Sequence, residues 1–453
     1  MLASCRQRPL DTVNELKRVL LEKIAAGTCH VGVIGLGYAG LPVALAFVER
    51  AKLKVTGFEL DTGKVQALAG GRSYLRHVPS DRIERARATG LFDATTDLDE
   101  LARPDALLIA VPTPLDAARA PELEHVVSSG RAIAERLRRG QLIVLESTTY
   151  PGTTDGLLRE LLERSGLTSG RDFFLAYSPE REDPGNRDFS TTTIPKLVGG
   201  VDGDSGDVAA ALYARVLDHV VRVATARVAE AAKLAENVFR SVNIALVNEL
   251  KVVFDGMGID VWQVLDAAAT KPFGFMRFEP GPGPGGHCIP IDPLYLAWSA
   301  REAGARARLV ELADEIHAGM PRYVLQKLEH ALNARQRTLA GSKILLLGIA
   351  YKKDSDDPRE SPALTLLTLL HERGALIAYH DPHVPVAPCL VCRAELPPLK
   401  SQPLTSELLQ THDAVLLCTD HTDLDTALAL THARLIVDTR GVYREPHPKV
   451  VKA

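Results

Sequence analysis

Apolar residues recur along this chain in two alternating rhythms, one of helical and one of strand length. Between Asp11 and Ala26, the residues Val13, Leu16, Leu20, Leu21 and Ile24 fall at helical spacing. This predicts an amphipathic helix packed against the domain that follows. From His30 the pattern shortens to Val-Gly-Val-Ile, a buried strand, followed by a glycine-rich turn and an apolar helix. Further strand-length apolar runs cover Lys54–Phe58, Ala106–Val111, Leu142–Glu146 and Phe173–Tyr177. Ala224–Gly256 reads as one long helix, apolar on more than one face, as expected of a helix buried between domains or subunits. A later helical stretch, Arg308–Leu332, contains Pro321, where a break is expected. Lys343–Gly348, then a helix over Ser361–Arg373, then Leu376–Tyr379 ending in His380-Asp381-Pro382, repeat the strand–helix–strand theme. The expectation is an α/β chain with two doubly wound units joined by a long central helix.

Composition narrows this picture. A chain of 453 residues is too long for one core. With 46% hydrophobic and 24% charged residues it has the make-up of a soluble globular protein. A net charge of −4 supplies no field that would favour nucleic acid or an anionic membrane, so neither is expected as a partner. No apolar run approaches the roughly 18 to 20 residues of a membrane span. Leu2-Ala3-Ser4-Cys5 has the form of a lipoprotein cleavage box but lacks the charged and apolar regions that precede one, so a cytoplasmic protein is expected. The six cysteines, at 5, 29, 288, 389, 392 and 418, are too sparse for a disulfide framework, which fits a reducing compartment.

The first glycine-rich turn has the form Gly35-x-Gly37-x-x-Gly40. Between a strand and a helix, these glycines permit a tight turn, close approach of a pyrophosphate and close helix–strand packing. The next strand ends in Glu59 and then Asp61, where an acidic side chain accepts from an adenosine ribose and would repel a 2′-phosphate. NAD is therefore expected rather than NADP, although Lys64 five residues later works against that preference. Two further strand ends offer Pro112-Thr113-Pro114 and Ser147-Thr148-Thr149, suited to the nicotinamide half, or else ordinary turn chemistry.

Three other places carry candidate chemistry. Phe173–Tyr177 delivers Ser178-Pro179-Glu180-Arg181, a carboxylate at a strand end beside the cofactor. On the long helix, Lys233 and Asn237 stand four apart on one face, able to donate to an oxyanion or else to form a solvated edge. In Glu279-Pro-Gly-Pro-Gly-Pro-Gly-Gly-His-Cys288, four glycines and three prolines precede the thiol, so no bulky side chain shields the sulfur. Cys288 reads as a nucleophile on a loop or as a small buried hydrophobe. Asp292 is within reach of the same pocket if a short turn begins after the cysteine. His380, His383, Cys389 and Cys392 have a spacing compatible with zinc, but a single Cys-x-x-Cys is a weak signal and no metal is expected.

The segment Gly-x-Gly-Gly-His-Cys-Ile-x-x-Asp closely resembles a signature of the UDP-glucose and GDP-mannose dehydrogenases, and the resemblance extends from about Val31 to about Arg440. It implies oxidation of C6 of a nucleotide sugar from alcohol to carboxylate with two NAD, through a thiohemiacetal and a thioester on Cys288. It implies a helical extension over 1–28 and an NAD-binding Rossmann domain over 29–215. A central helical, dimer-forming and catalytic part over 216–320 and a Rossmann-like UDP-sugar domain over 321–453 complete the chain. Catalysis falls to Cys288, Lys233, Asn237, Asp292, Glu180 and Thr148, with the general base left open between Asp292 and Lys233 through water. Cofactor contacts fall to Gly35, Gly37, Tyr38, Gly40, Glu59, Asp61, Lys64, Pro112, Thr113 and Thr148. Substrate contacts fall to Glu180, Arg181, Lys233, Asn237, Arg277, Gly285, Tyr351, Lys352 and Arg440. Where the UDP-glucose enzymes carry a second glutamate, this chain has Pro184.

The string Ser-Pro-Glu-Arg-Glu-Asp-Pro-Gly-Asn, with Ile194-Pro195-Lys196-Leu197-Val198-Gly199-Gly200, is most similar to enzymes acting on UDP-N-acetylglucosamine. Arg181 brings five donors that suit an acetamido carbonyl, or pairs with Glu182 or Asp183 and reads nothing. UDP-N-acetylmannosamine and UDP-glucose are the alternative substrates. A single-step hydroxyacid dehydrogenase would use Lys233 and Asn237 but has no reason for a presented Cys288, and a non-catalytic nucleotide-binding protein would need neither.

Overall fold

The computed structural model describes residues 9–181, 193–388 and 399–453. The chain divides into two compact units, Met1–Glu236 and Asn237–Ala453. Among the described residues no helix is long and apolar enough to cross a membrane.

The first unit holds an eight-stranded sheet: β1 (His30–Ile34), β2 (Lys54–Phe58), β3 (Phe92–Thr95), β4 (Ala106–Ile109), β5 (Leu142–Leu145), β6 (Phe174–Tyr177), β7 (Lys196–Gly200) and β8 (Val220–Val223). Their order is β3-β2-β1-β4-β5-β6-β7-β8, so the direction of winding reverses between β1 and β4. The turn after β1 opens at that switch point, where open α/β sheets bind ligands. All neighbouring pairs are parallel except β6 with β7. β1, β4, β5 and β6 are buried almost throughout, which is why they read as unbroken apolar runs rather than as alternation. The N-terminal helix forms over Pro9–Ala26 as its periodicity predicts, and Leu20 and Ile24 enter the core of this sheet beside Val31 and Phe47.

The second unit holds a five-stranded, wholly parallel sheet: β9 (Lys343–Leu347), β10 (Leu376–His380), β11 (Ala414–Leu417), β12 (Ile436–Asp438) and β13 (Val450–Lys452), in the order β10-β9-β11-β12-β13. Pro321 does not break the preceding helix, which runs from Arg308 to Asn333. Its ring is buried, and the His317 carbonyl that loses a helical donor there faces the backbone of Gly283.

The helix Ala226–Gly256 differs most from expectation. Its apolar residues do not cover every side with protein: Val228, Phe239, Leu246, Val252 and Val253 are exposed. Its buried side mixes Ala226, Ala229, Leu234, Ala245 and Val247 with the polar Glu230, Lys233, Asn237, Ser241, Asn248 and Lys251.

Candidate active site

Most of the buried polar side chains on that helix have partners among the described residues. Glu230 accepts from the Gly152 and Thr154 amides at 2.7 and 2.9 Å and from the Thr154 hydroxyl at 2.6 Å, fixing the loop after β5. Burial pushes this carboxyl up to about 7 against the pull of those donors. Asn237 donates to Asp292 at 2.6 Å, Ser241 meets His317 at 3.2 Å, and Asn248 accepts from the Gly281 amide at 2.9 Å. Lys251 pairs with Asp255 and the Tyr323 hydroxyl. Lys233 is 7% exposed, and among the described residues its ammonium has no hydrogen-bond or ion-pair partner. With no protein partner, that ammonium is available to an anionic or carbonyl group of a ligand.

Cys288 is exposed, whereas Cys29 and Cys418 are buried and their thiols are pushed up to about 12 by burial. The small-hydrophobe reading thus holds for those two cysteines and fails for Cys288. The short turn expected after it is present: the Ile291 and Asp292 amides donate to the Cys288 carbonyl at 3.3 and 2.9 Å. Asp292 opens the helix Asp292–Glu302 and is 2% exposed, with Asn237 on its carboxylate. His287 is held below its ordinary value by burial and by Arg359, so a neutral imidazole precedes the thiol at neutral pH.

The glycines before Cys288 serve packing as well as access. A Cβ at Gly285 or Gly286 would come within 2.7 Å of Tyr351, and one at Gly281 within 2.6 Å of Arg440. Tyr351 follows β9 and Arg440 follows β12, both at the carboxyl rim of the second sheet, where the guanidinium donates to the Cys418 carbonyl at 2.6 Å. Lys352 is half-buried on the same rim as Tyr351. Arg277 is paired with Asp266 at 2.7 Å and Glu279 at 2.6 Å.

The cradle after β1 fits a dinucleotide. Gly35 has φ +86°, and a Cβ there would meet the Ala110 carbonyl at 2.7 Å; at Gly40 it would overlap the Gly35 carbonyl. At Gly37 it would meet nothing within 4 Å, so the turn leaves open space on that side. The helix Gly40–Glu49 starts with no side-chain cap, leaving its N-terminus suited to a phosphate. Glu59 accepts from the Leu36 amide at 3.3 Å and the Asp61 amide at 3.2 Å, and Lys64 lies against it at 3.5 Å. The charge of Lys64 is therefore directed at Glu59, and Asp61 caps the helix Thr62–Ala69 through the Gly63 and Lys64 amides. The Tyr38 ring packs against that of His77 in a tilted contact, with centroids 4.2 Å apart. Pro112 is exposed, Thr113 buried and Thr148 half-buried at the rims after β4 and β5.

Arg181 does not stand open to a ligand. It forms a salt bridge with Glu236 at 2.6 Å and donates to the Pro195 carbonyl at 2.6 Å. Glu182, Asp183, Pro184, Cys389 and Cys392 lie outside the described residues, as do the two cysteines' parts in the zinc spacing. His380 is bound to the Gln402 carbonyl at 2.8 Å. Among the described residues, Asp354, His383 and His421 cluster at metal-binding distance. His421 has no lone pair to give: Nδ1 accepts from the Asp354 amide at 3.0 Å, and Nε2 therefore donates to Asp381 at 3.1 Å.

Sequence reading missed Glu146, Lys196, Glu230 and Glu236. All four are charges embedded in apolar or helical runs, and a lone charge inside such a run is the signal that would have found them.

Comparison with known proteins agrees with this arrangement along most of the chain. Residues 29–217, 227–318 and 345–445 match the NAD binding, central and UDP binding domains of the UDP-glucose/GDP-mannose dehydrogenase family. The UDP-N-acetyl-D-glucosamine 6-dehydrogenase of Pseudomonas aeruginosa is 35% identical over 78% of this chain and 83% of its own. The NDP-N-acetyl-D-galactosaminuronic acid dehydrogenase of Ralstonia nicotianae is 34% identical over 91% and 96%. The solved structure of the UDP-D-ManNAc dehydrogenase of Pyrococcus horikoshii superposes with a TM-score of 0.84 at 29% identity, covering 93% of this chain and 98% of that one. A dinucleotide cradle on the first sheet, a match to a UDP binding domain on the second and an exposed cysteine in the central part thus have one shared origin: the chain belongs to the UDP-glucose/GDP-mannose dehydrogenase family, the NAD-dependent dehydrogenases of nucleotide sugars.

Proposed function

We propose that this enzyme oxidises UDP-N-acetylglucosamine at C6 to the uronate, releasing four electrons, as a step in making surface-polysaccharide precursors. The observation that carries the mechanism is Cys288, exposed on a tight turn four residues before a buried Asp292 that Asn237 holds in place. The cradle after β1 would hold two NAD in succession, each supplying the acceptor for one hydride. Asp292, or Lys233 through a water, receives the proton of the C6 hydroxyl. The Cys288 thiolate adds to the aldehyde carbon, and the hemiacetal oxygen it creates is stabilised by Lys233 and Asn237. After the second oxidation a water attacks the thioester carbon, the C–S bond breaks and Cys288 leaves as thiolate. Glu180, with Thr148, holds that water.

The remaining assignments follow the same reading. Residues 29–215 bind NAD, 216–320 carry the nucleophile and pair two copies through the exposed Phe239, Leu246, Val252 and Val253, and 321–453 hold the UDP moiety near Tyr351, Lys352 and Arg440. The reducing cytoplasm keeps Cys288 a thiol. An N-acetylated sugar is favoured because all three relatives above are named for N-acetylated sugars. UDP-N-acetylmannosamine is the second reading, favoured by the Pyrococcus horikoshii structure with its 93% coverage of this chain. Arg181, committed to Glu236 and Pro195, contributes by shaping the loop rather than by free donors.

The test follows NADH and product with UDP-N-acetylglucosamine, UDP-N-acetylmannosamine and UDP-glucose in parallel. Two NADH and one carboxylate per sugar are expected, fastest with the first. Cys288→Ser should lower net turnover by about 10³-fold while NAD still binds, because serine is a poorer nucleophile and a poorer leaving group. One NADH with accumulating aldehyde in the wild type would sink the thioester route.

A further inference from the structure

Beneath Glu180 lies a buried charge cluster that no step above uses. Lys196 Nζ sits 3.2 Å from Glu146 Oε2 and 3.2 Å from Glu180 Oε2. The Tyr213 hydroxyl donates to the other oxygen of Glu146, and the Lys196 ammonium lies 5.2 Å from the centre of the Tyr213 ring. The side chains grade outwards, with Glu146 1% exposed, Lys196 5% and Glu180 18%. Burial alone would push the lysine down, but the two carboxylates outweigh it and hold it above its ordinary value, so it stays a cation. Burial pushes Glu146 up, against the pull of Lys196.

The fold builds this cluster deliberately out of its one antiparallel pairing among the described strands of the first sheet. β7 runs back along β6 with Tyr177 opposite Gly199 and Ala176 opposite Gly200. Continued past the strand ends, the same register sets Lys196 opposite Glu180. The backbone is laced there twice more: the Ser178 hydroxyl donates to the Leu197 carbonyl at 2.8 Å, and Arg181 donates to the Pro195 carbonyl at 2.6 Å. Glu146 arrives from the end of β5 and Tyr213 from the helix Gly203–Tyr213. One ammonium between two carboxylates leaves one excess negative charge, and the less buried Glu180 is where solvation favours it.

We propose that Lys196 is a positioning residue for thioester hydrolysis, holding Glu180 as an aimed, ionised carboxylate, with Glu146 and Tyr213 fixing Lys196 in turn. This rests on the reading of Glu180 as the group that holds the hydrolytic water. In that step the water oxygen bonds to the thioester carbon, the C–S bond breaks, Cys288 leaves as thiolate and the water proton passes to Glu180. Lys196 touches no reacting atom. Among the described residues, charged and titratable groups that face Glu180 and Lys196 include Glu146, Tyr213, Arg181 and, behind Arg181, Glu236.

The experiment is a mutant cycle of Lys196→Gln, Glu180→Gln and the double variant on the full-length enzyme with NAD and UDP-N-acetylglucosamine. The NADH burst reads oxidation, and acid-quenched mass spectrometry of Cys288 reads the surviving adduct. Lys196→Gln should slow adduct hydrolysis by about 30-fold, leave the burst within about threefold, and raise the pH at which hydrolysis fails on the acid side, since Glu180 then protonates more easily. In the Glu180→Gln background it should change nothing further. Tyr213→Phe keeps the volume of the site and should slow the same step by about threefold, so the test survives if Lys196→Gln does not fold. Hydrolysis unchanged in Tyr213→Phe, a full additive loss in the double variant, or an unmoved acid limb overturns the inference. Normal hydrolysis in Glu180→Gln overturns the reading of Glu180 itself, and the positioning role with it.

Discussion

The two glycine-rich turns look alike in sequence and do opposite things. Gly35-x-Gly37-x-x-Gly40 makes a hollow: Gly35 and Gly40 let backbone meet backbone, while Gly37 faces open space. Gly281–Gly286 makes a contact: the room released by Gly285 and Gly286 is filled by Tyr351, and that at Gly281 by Arg440. Absence of a side chain is therefore not by itself a sign of a ligand. What distinguishes the two is whether the protein occupies the space, and in the second case access is gained one residue further on, at His287-Cys288. An alanine placed in each turn should separate these uses, one through stability and the other through affinity.

The largest effect is expected in the filled turn. Gly286 has φ +81°, and a methyl there would sit 2.7 Å from the Tyr351 ring. Left-handed backbone costs an L-residue about 1–2 kcal/mol and a forced overlap a further ~1–3 kcal/mol. Gly286→Ala should therefore lose about 2–5 kcal/mol, read as a lowered denaturation midpoint. Adding Tyr351→Ala should recover the overlap part but not the backbone part. A Gly286→Ala protein as stable as wild type would show that the contact is slack.

Next comes the group that presents Tyr351. Asp381 accepts from the Ile349 and Ala350 amides at 2.7 and 3.1 Å, just before that tyrosine, and from His421. Burial works against its charge, but His421 and the amides outweigh it and hold the carboxyl at about 2, below the ordinary 3.8. A depressed carboxylate contributes stability that is complete above the unfolded value and lost as pH falls through the folded one. Between pH about 4 and 2 the second unit should lose about 2 kcal/mol that Asp381→Asn no longer loses. Parallel acid titrations of wild type and variant check this, and identical acid slopes would remove Asp381 from the account.

How much of this could be read from sequence follows the same division. The strands β1, β4, β5, β6 and β9 announced themselves because burial makes them nearly continuous apolar runs, and β2 and β10 were found from shorter apolar patterns. β3, β7, β8 and β11–β13 were passed over: Phe92–Thr95 and Val220–Val223 are only partly buried, Lys196–Gly200 opens with a charge, and Ile436–Asp438 spans three residues. The turn from Cys288 to Asp292 and the shared face of Lys233 and Asn237 were legible because both are local. The partner of Arg181 was not legible, because Glu236 is 55 residues away. Lys196 was invisible for a related reason, since only an antiparallel register sets it opposite Glu180. On the long helix the inward-turned polar residues, anchors for separate loops and helices, could not be told from solvated ones, because their partners are distant in sequence.

The smallest effect is expected in the open turn, and there it should be confined to the ligand. A methyl at Gly37 touches nothing in the protein, so Gly37→Ala should leave the denaturation midpoint of the NAD-free enzyme where it is, apart from a few tenths of a kcal/mol from the unfolded chain. A pyrophosphate brought against that backbone meets the methyl first, and its displacement from the amides of the turn should weaken NAD by about tenfold, or ~1.4 kcal/mol. Glu59, fixed by the Leu36 and Asp61 amides, should keep its preference for NAD over NADP in this variant, because the ribose end lies beyond the methyl. Calorimetric titration of NAD and NADP into wild type and Gly37→Ala, beside their melting curves, reads both halves. A variant that melts lower but binds NAD normally would make the first turn a packing device like the second, and the contrast between them would vanish.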